Sequence, residues 1–226
     1  MDQRAADLRA QFQKGLSLHQ SGNIDQAGVV YQSILDAEPA YFDALHLLGV
    51  VEMQKGNYAK AEALIRSAIA LDPRQPAAHS NLGTVLLTAG KIAPALECYE
   101  RALELSPRDA EAHYNRGTAL RKLEREHEAL EAWTTALTLN SQHVAARVSR
   151  ATVLHEFARL DEALADIEAA VALAPTLALA HYNRGNVMKD LNRPDEAQVS
   201  YRQAIALKPD FAEAVAGLAS LRRTSV

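Results

Sequence analysis

A period of thirty-four residues runs through almost the whole of this chain and leaves few folds open to it. Stepping by thirty-four from Gly15 reaches Gly49, Gly83, Gly117, Ala151 and Gly185. The series from Ala27 (Ala61, Ala95, Ala129, Ala163, Ala197) has no exception. A third runs Pro39, Pro73, Pro107, Ser141, Pro175, Pro209, and a fourth, always bulky, runs Tyr31, Ile65, Tyr99, Trp133, Ile167, Tyr201. Chance does not hold four series in one register. The repeats fall at 8–41, 42–75, 76–109, 110–143, 144–177 and 178–211, without insertions, followed by a segment at 212–226.

Each series has a physical task. Glycine and alanine remove side chains where two helices of a repeat cross, so the helices approach near the short end of the usual 8–10 Å separation. The bulky series fills the remaining gap. Proline ends the second helix, because it lacks an N–H and its ring clashes with the preceding turn. At mid-repeat, Gly22-Asn23 and Gly56-Asn57 suit a glycine that ends one helix and an asparagine that caps the next. Pro194 falls in a first helical turn, where its missing donor does no harm. Core-facing positions recur at three- and four-residue steps, as in Leu45, Leu48, Gly49, Glu52 and in Ala61, Leu64, Ile65, Ala68. Each repeat is therefore helix, tight turn, helix. A lone pair cannot bury both faces, so the pairs must stack.

The composition fits. Aromatics are 5% of the chain while AVILMFWYC residues make up 48%, much of it alanine, the strongest helix former. The 24 Lys+Arg against 28 Asp+Glu give no concentrated basic surface, so nucleic acid is not an expected partner. No run approaches the length of a membrane span, the opening residues are too polar for a secretory signal, and a lone Cys98 forms no intrachain disulfide. A cytoplasmic protein without membrane insertion is the expectation.

The pattern resembles the tetratricopeptide repeat (TPR): a small residue at the eighth position, Ala at the twentieth, an aromatic at the twenty-fourth and Pro at the thirty-second. The resemblance covers residues 8–211. Ala151, Ser141 and the histidines His79, His113 and His181 at the fourth position depart from it. It implies an all-α, right-handed superhelical solenoid of six helix-turn-helix units plus a C-terminal capping helix at 212–223, about 13 helices in one domain over 1–226, with first helices lining a concave face. In that cap, Val215, Leu218 and Leu221 are expected to lie on the last repeat, with Glu213, Arg222 and Arg223 in water. The repeats are most similar to those of bacterial TPR proteins and of the repeat domain of O-linked N-acetylglucosamine transferase, as in Ala78-His79-Ser80-Asn81-Leu82-Gly83.

By the same resemblance the concave face is the ligand surface. It maps onto Asn81, Thr84, Tyr114, Asn115, Thr118, Arg121, Lys122, Ser149, Thr152, Tyr182, Asn183, Asn186 and Lys189. Asparagine amides offer both a donor and an acceptor, the pair that an extended peptide backbone satisfies. Against this stands the commonness of Asn at that family position. In the first two repeats Phe12, Leu16, Leu47, Val50 and Met53 make the corresponding wall apolar, which suits a docking patch, self-association or cover by the chain itself. The two-carboxylate clamp for chaperone tails needs cations that His46, Ser80, Tyr114 and Val148 do not supply. Arg116, Arg150 and Arg184 recur one repeat apart. The bland reading, in which each pairs with a carboxylate and Asp166 reaches Arg150 or Arg184, is preferred to a basic line for an acidic ligand.

Nothing suggests catalysis. The histidines recur in different repeats and make no close-spaced set for a metal, and no phosphate-binding or nucleophile-elbow motif is present. Cys98 reads as a structural thiol and Glu97 with Arg101 as a helix-face pair. The last five residues, Arg222-Arg223-Thr224-Ser225-Val226, read as a frayed end rather than a kinase site or docking tail. The expected function is a non-catalytic scaffold or adaptor, without cofactor or metal, that binds a peptide or protein segment. The alternatives are the targeting domain of a larger enzyme such as a glycosyltransferase, and a self-assembling, homo-oligomeric scaffold.

Overall fold

A computed structural model describes residues 3–221, so Arg222, Arg223 and the rest of the C-terminal motif lie outside the described residues. Those residues form thirteen α-helices and no strand: α1 (Gln3–Gln20), α2 (Ile24–Ala37), α3 (Phe42–Gln54), α4 (Tyr58–Leu71), α5 (Pro76–Thr88), α6 (Ile92–Leu105), α7 (Ala110–Lys122), α8 (Glu126–Leu139), α9 (Val144–Glu156), α10 (Leu160–Leu173), α11 (Ala178–Asp190), α12 (Pro194–Leu207) and α13 (Ala212–Leu221). This is the all-α repeat fold that the period predicts. The helices fall into two compact units that divide between Leu123 and Glu124.

In the first unit the glycine and bulky series meet directly. A Cβ built on Gly15 would lie 2.7 Å from Tyr31 Cε1, one on Gly49 2.5 Å from Ile65 Cγ1, and one on Gly83 2.7 Å from Tyr99 Cε1. Glycine is required there because a fully buried side chain of the second helix occupies the space of a methyl. In the second unit Gly185 meets Tyr201 at 2.6 Å in the same way. Ala151, which departs from glycine, is buried in one apolar cluster with Ile167, a slimmer member of the bulky series.

The helix ends follow a different rule from the one expected. Gly22, Gly56 and Gly90 do adopt φ of 78°, 81° and 78°, closing the first helices in the left-handed region. Asn23 and Asn57 do not cap with their side chains. Their Nδ2 groups donate back to Ser21 Oγ (3.0 Å) and Glu52 Oε2 (2.7 Å), and their Oδ1 atoms accept nothing from the next helix. In the second unit the left-handed position is held by Glu124, Ala158 and Asn192, at φ of 59°, 57° and 58°. The residues that follow, Arg125, Arg159 and Arg193, each grip the glutamate three residues on through two guanidinium bonds of 2.6–2.8 Å.

The fourth-position histidines tie successive repeats together. His79, His113 and His181 donate Nε2–H to the carbonyls of Pro73, Pro107 and Pro175 at 3.0, 3.0 and 2.9 Å. Where Ser141 replaces proline, Arg147 replaces histidine and donates Nε and Nη2 to the Ser141 carbonyl at 3.1 and 2.7 Å. Arg101 pairs with Glu104 at 2.6 Å rather than with Glu97. In α13, Ala214 and Leu221 are the buried residues and Leu218 packs against the cluster that holds Leu221, but Val215 is 48% exposed. The inward face of this helix passes through Ala214 and Leu221, two turns apart, and Val215 lies about 100° round from it.

Candidate functional site

The first unit carries Asn81, Thr84, Tyr114, Asn115, Thr118, Arg121 and Lys122. All are half-buried except Lys122, which is exposed. The Asn81 amide donates to His46 Nε2 at 2.9 Å, which requires a neutral imidazole with its proton on Nδ1. Burial lowers the His46 pKa, only partly opposed by Asp43, and this holds the ring in that acceptor form. Thr84 Oγ1 donates to the Ser80 carbonyl at 3.2 Å and accepts from the Tyr99 hydroxyl at 3.3 Å. Thr118 donates to the Tyr114 carbonyl at 3.1 Å. The Asn115 side chain has no hydrogen-bond partner among the described residues. The apolar set Phe12, Leu16, Leu47, Val50 and Met53 is half-buried throughout. Phe12 and Leu47 pack on the core, and the Phe12 ring lies 6.0 Å from Tyr31 and 5.9 Å from Tyr41.

The second unit brings four of the expected residues into one cleft. Thr152 of α9 and Tyr182, Asn183 and Asn186 of α11 line a depression of about 230 Å³, joined by His155 and Glu156. Ser149, half-buried, and Lys189, exposed, are not among the residues that line it. Thr152 Oγ1 donates to the Val148 carbonyl at 2.8 Å and so accepts from Asn183 Nδ2 at 3.2 Å, which leaves Asn183 Oδ1 unengaged. The Tyr201 hydroxyl donates to Asn186 Oδ1 at 2.8 Å, leaving Asn186 Nδ2 unengaged. The helix face thus offers one acceptor and, three residues on, one donor. Tyr182 is held by Tyr201 (6.1 Å between centroids) and Phe211 (5.0 Å). Sequence reasoning missed His155 and Glu156, which follow Thr152 by about one turn on α9, and that spacing is the signal that could have found them.

The arginine series is engaged. Asp166, 3% exposed, receives Arg150 Nε at 2.7 Å and Nη2 at 2.8 Å, with Arg147 Nη1 at 3.3 Å. The guanidinium expected near Asp166 is there, and it is Arg150. Arg184 faces Glu168 instead, and Arg116 faces Glu100, each at 3.7 Å. Sequence reasoning missed a second depression of about 460 Å³ between α8 and the start of α10, lined by His127, Leu130, Glu131, Thr134, Thr135 and Arg159. The short Thr134 and Thr135 stand where the preceding repeat carries Glu100 and Arg101.

Burial raises the Cys98 thiol pKa, the reverse of what a nucleophile needs. Among the described residues no group of three His, Cys, Asp or Glu is placed to hold a metal, and no helix is long and apolar enough to cross a membrane.

The fold defines a helical-repeat protein of stacked helix pairs. Models of the tetratricopeptide repeat match residues 18–84, 110–143 and 178–211, and a TPR-repeat model matches 85–124. The chain belongs to the tetratricopeptide-repeat family. No curated protein sequence matches it. Among solved structures it is similar to PilF of Pseudomonas aeruginosa (23% identity, 97% of this chain and 100% of that one, TM-score 0.88). It is also similar to YrrB, a TPR protein with an unusual peptide-binding site (24%, 82% and 95%, TM-score 0.67). A third is the APC/C hetero-tetramer Cut9–Hcn1 (16%, 93% and 42%, TM-score 0.83). At these identities the likeness concerns the fold. TPR repeats in general mediate protein–protein interaction and are typically non-catalytic.

Proposed function

We propose that this protein is a non-catalytic adaptor whose first-helix face holds an extended segment of a partner protein. The observation that carries this reading is the α9–α11 cleft, where Asn183 keeps a free carbonyl oxygen and Asn186 a free amide N–H. A peptide unit presents the matching N–H and C=O, so main-chain recognition needs no particular side chain. The Thr152 and Tyr201 bonds fix both amides in advance, which lowers the entropy lost on binding. The peptide-binding site of YrrB, another TPR protein, is consistent with such a role. Asn115, half-buried and without a partner, offers a second amide of the same kind. Asn81 contributes its carbonyl oxygen, its N–H being taken by His46. The unbroken register over 8–211 supports the repeats working as one array, and the single cysteine supports a cytoplasmic setting.

The test is a pull-down with the intact chain beside a triple variant, Asn81→Ala, Asn115→Ala and Asn183→Ala, with helical content checked by circular dichroism. Partners held through the amides should drop out of the variant's set. Equal capture by both chains would remove the amides from the grip and sink this reading.

A further inference from the structure

Between the second helices of repeats two and three, the chain fills the gap with its own ion pair. Lys91, at the turn into α6, reaches Glu62 of α4 at 2.8 Å, and Glu62 also holds Arg66 at 3.0 Å. Two repeats further on, the same two positions are Arg159 and Leu130. Leucine offers Arg159 nothing to pair with. The guanidinium turns along its own helix instead and donates twice to Glu162, both bonds 2.8 Å. The gap between α8 and α10 therefore stays open as the depression of about 460 Å³, and one of about 230 Å³ adjoins it, sharing Leu130, Thr134 and Arg159.

We propose that this open gap on the second helices is a docking site for an arginine side chain of a partner protein, separate from the first-helix face. Its floor is apolar, since Leu130 is buried and so is Leu154 in the adjoining depression. Its wall is aromatic. His127 lines it, with the Phe157 ring 5.1 Å away and 38% exposed. A guanidinium stacks on such a face while its aliphatic stem covers the apolar floor.

The charges select the same occupant. The exposed Glu131 lines the depression, and its carboxylate makes no ion pair or hydrogen bond among the described residues. Thr135 Oγ1 donates to the Glu131 carbonyl at 3.0 Å, which leaves its lone pairs as acceptors beside that carboxylate. The cations that line the two depressions are matched already: Arg159 by Glu162, and Arg150 by two bonds to Asp166. One carboxylate is left over. It calls for a cation with an apolar stem, whereas an acidic segment would meet it with like charge.

The test is an NMR titration of the full chain with N-acetyl-leucyl-arginine amide, following the amides of residues 127–135 and 159–162. Those signals should shift saturably. Replacing the arginine of the peptide by citrulline, its neutral analogue, should weaken binding about five-fold, the worth of an exposed ion pair with a ring contact. Glu131→Gln should weaken it about three-fold. Thr135→Arg restores the residue type that the preceding repeat carries as Arg101 and sets the chain's own cation four residues from Glu131, so it should abolish the shifts. No saturable shift at these residues, equal binding of the citrulline peptide, or undiminished binding by both variants overturns the proposal. So do shifts that follow protein concentration instead of peptide, as a second copy in the gap would give. A peptide that shifts only Asn183 and Asn186 belongs to the first-helix face, and that result also removes this site.

Discussion

Three tyrosines of one repeat position show how a single neighbour decides what a buried hydroxyl is worth. Tyr99 and Tyr201 donate to Thr84 and Asn186, residues at the ninth position of their own repeats. Tyr31 is equally buried, but its ninth-position neighbour is Leu16, and its hydroxyl has no partner. Burial pushes both the Tyr31 and the Tyr201 phenols up to about 12, so both remain protonated donors. An unmade buried hydrogen bond costs about 1–3 kcal/mol, so removing the Tyr31 hydroxyl relieves a penalty. Tyr31→Phe should leave stability unchanged or raise it by up to about 1 kcal/mol, whereas Tyr201→Phe should lower it by about 1 kcal/mol. Urea denaturation of the two variants compares them directly, and equal losses would refute the argument. The sequence shows Leu16 and Tyr31 fifteen residues apart, yet only the folded crossing makes them neighbours.

Between the helices, the first-to-second turn is where the two units differ. Ala158 takes φ of 57° with no side chain able to bond locally, whereas Gly22, Gly56 and Gly90 hold the same position without strain. Ala158→Gly should therefore stabilise the second unit by about 1 kcal/mol, read as a higher denaturation midpoint. The reverse logic applies inside α5. A methyl on Gly83 would meet the Tyr99 ring at three atoms within 2.9 Å. Overpacking costs about 1–3 kcal/mol against a gain of about 1 kcal/mol in helix propensity, so Gly83→Ala should be a net loss of about 1 kcal/mol. A more stable Gly83→Ala protein would show that the ring can step aside. The glycine and bulky columns were legible because volume alone sets them. The left-handed column at 124, 158 and 192 was not, since Glu, Ala and Asn carry no common signature. The asparagine caps were misjudged because the rotamer of Asn57 is set by its Nδ2 donating to Glu52 on the preceding helix, a neighbour that only the fold supplies.

For the molecule as a whole, the buried groups through which pH acts on stability lie in the first of the two units. In the first, His46 is kept neutral by burial, so an unfolded His46 binds protons that the folded one refuses. That contribution is complete above roughly pH 6.5 and falls away below it. Glu52 acts further down the scale. Burial alone would raise its pKa, but hydrogen bonds from Lys60 and Asn57 and the charges of Lys60 and Lys55 outweigh this and lower it. Its stabilisation is present above the ordinary glutamate range and lost as pH falls through its lowered value. Exchange protection of α3 and α5 should decline from pH 7.5 to 5.5, and His46→Gln, which keeps an acceptor for Asn81, should flatten that decline. A steeper decline in His46→Gln would contradict the assignment.

What the sequence determined by itself was the repeat: which residues are small, which are bulky, where helices stop and how many there are. Those features are local or recur at a fixed spacing, so excluded volume and hydrogen-bonding capacity read directly from the chain. The tertiary structure alone decided how polar groups pair: Asp166 with Arg150 rather than Arg184, Asn81 with His46, His155 with Asp190. A hydrogen bond depends on a few tenths of an ångström and on direction, and a sequence fixes neither until the helices have packed.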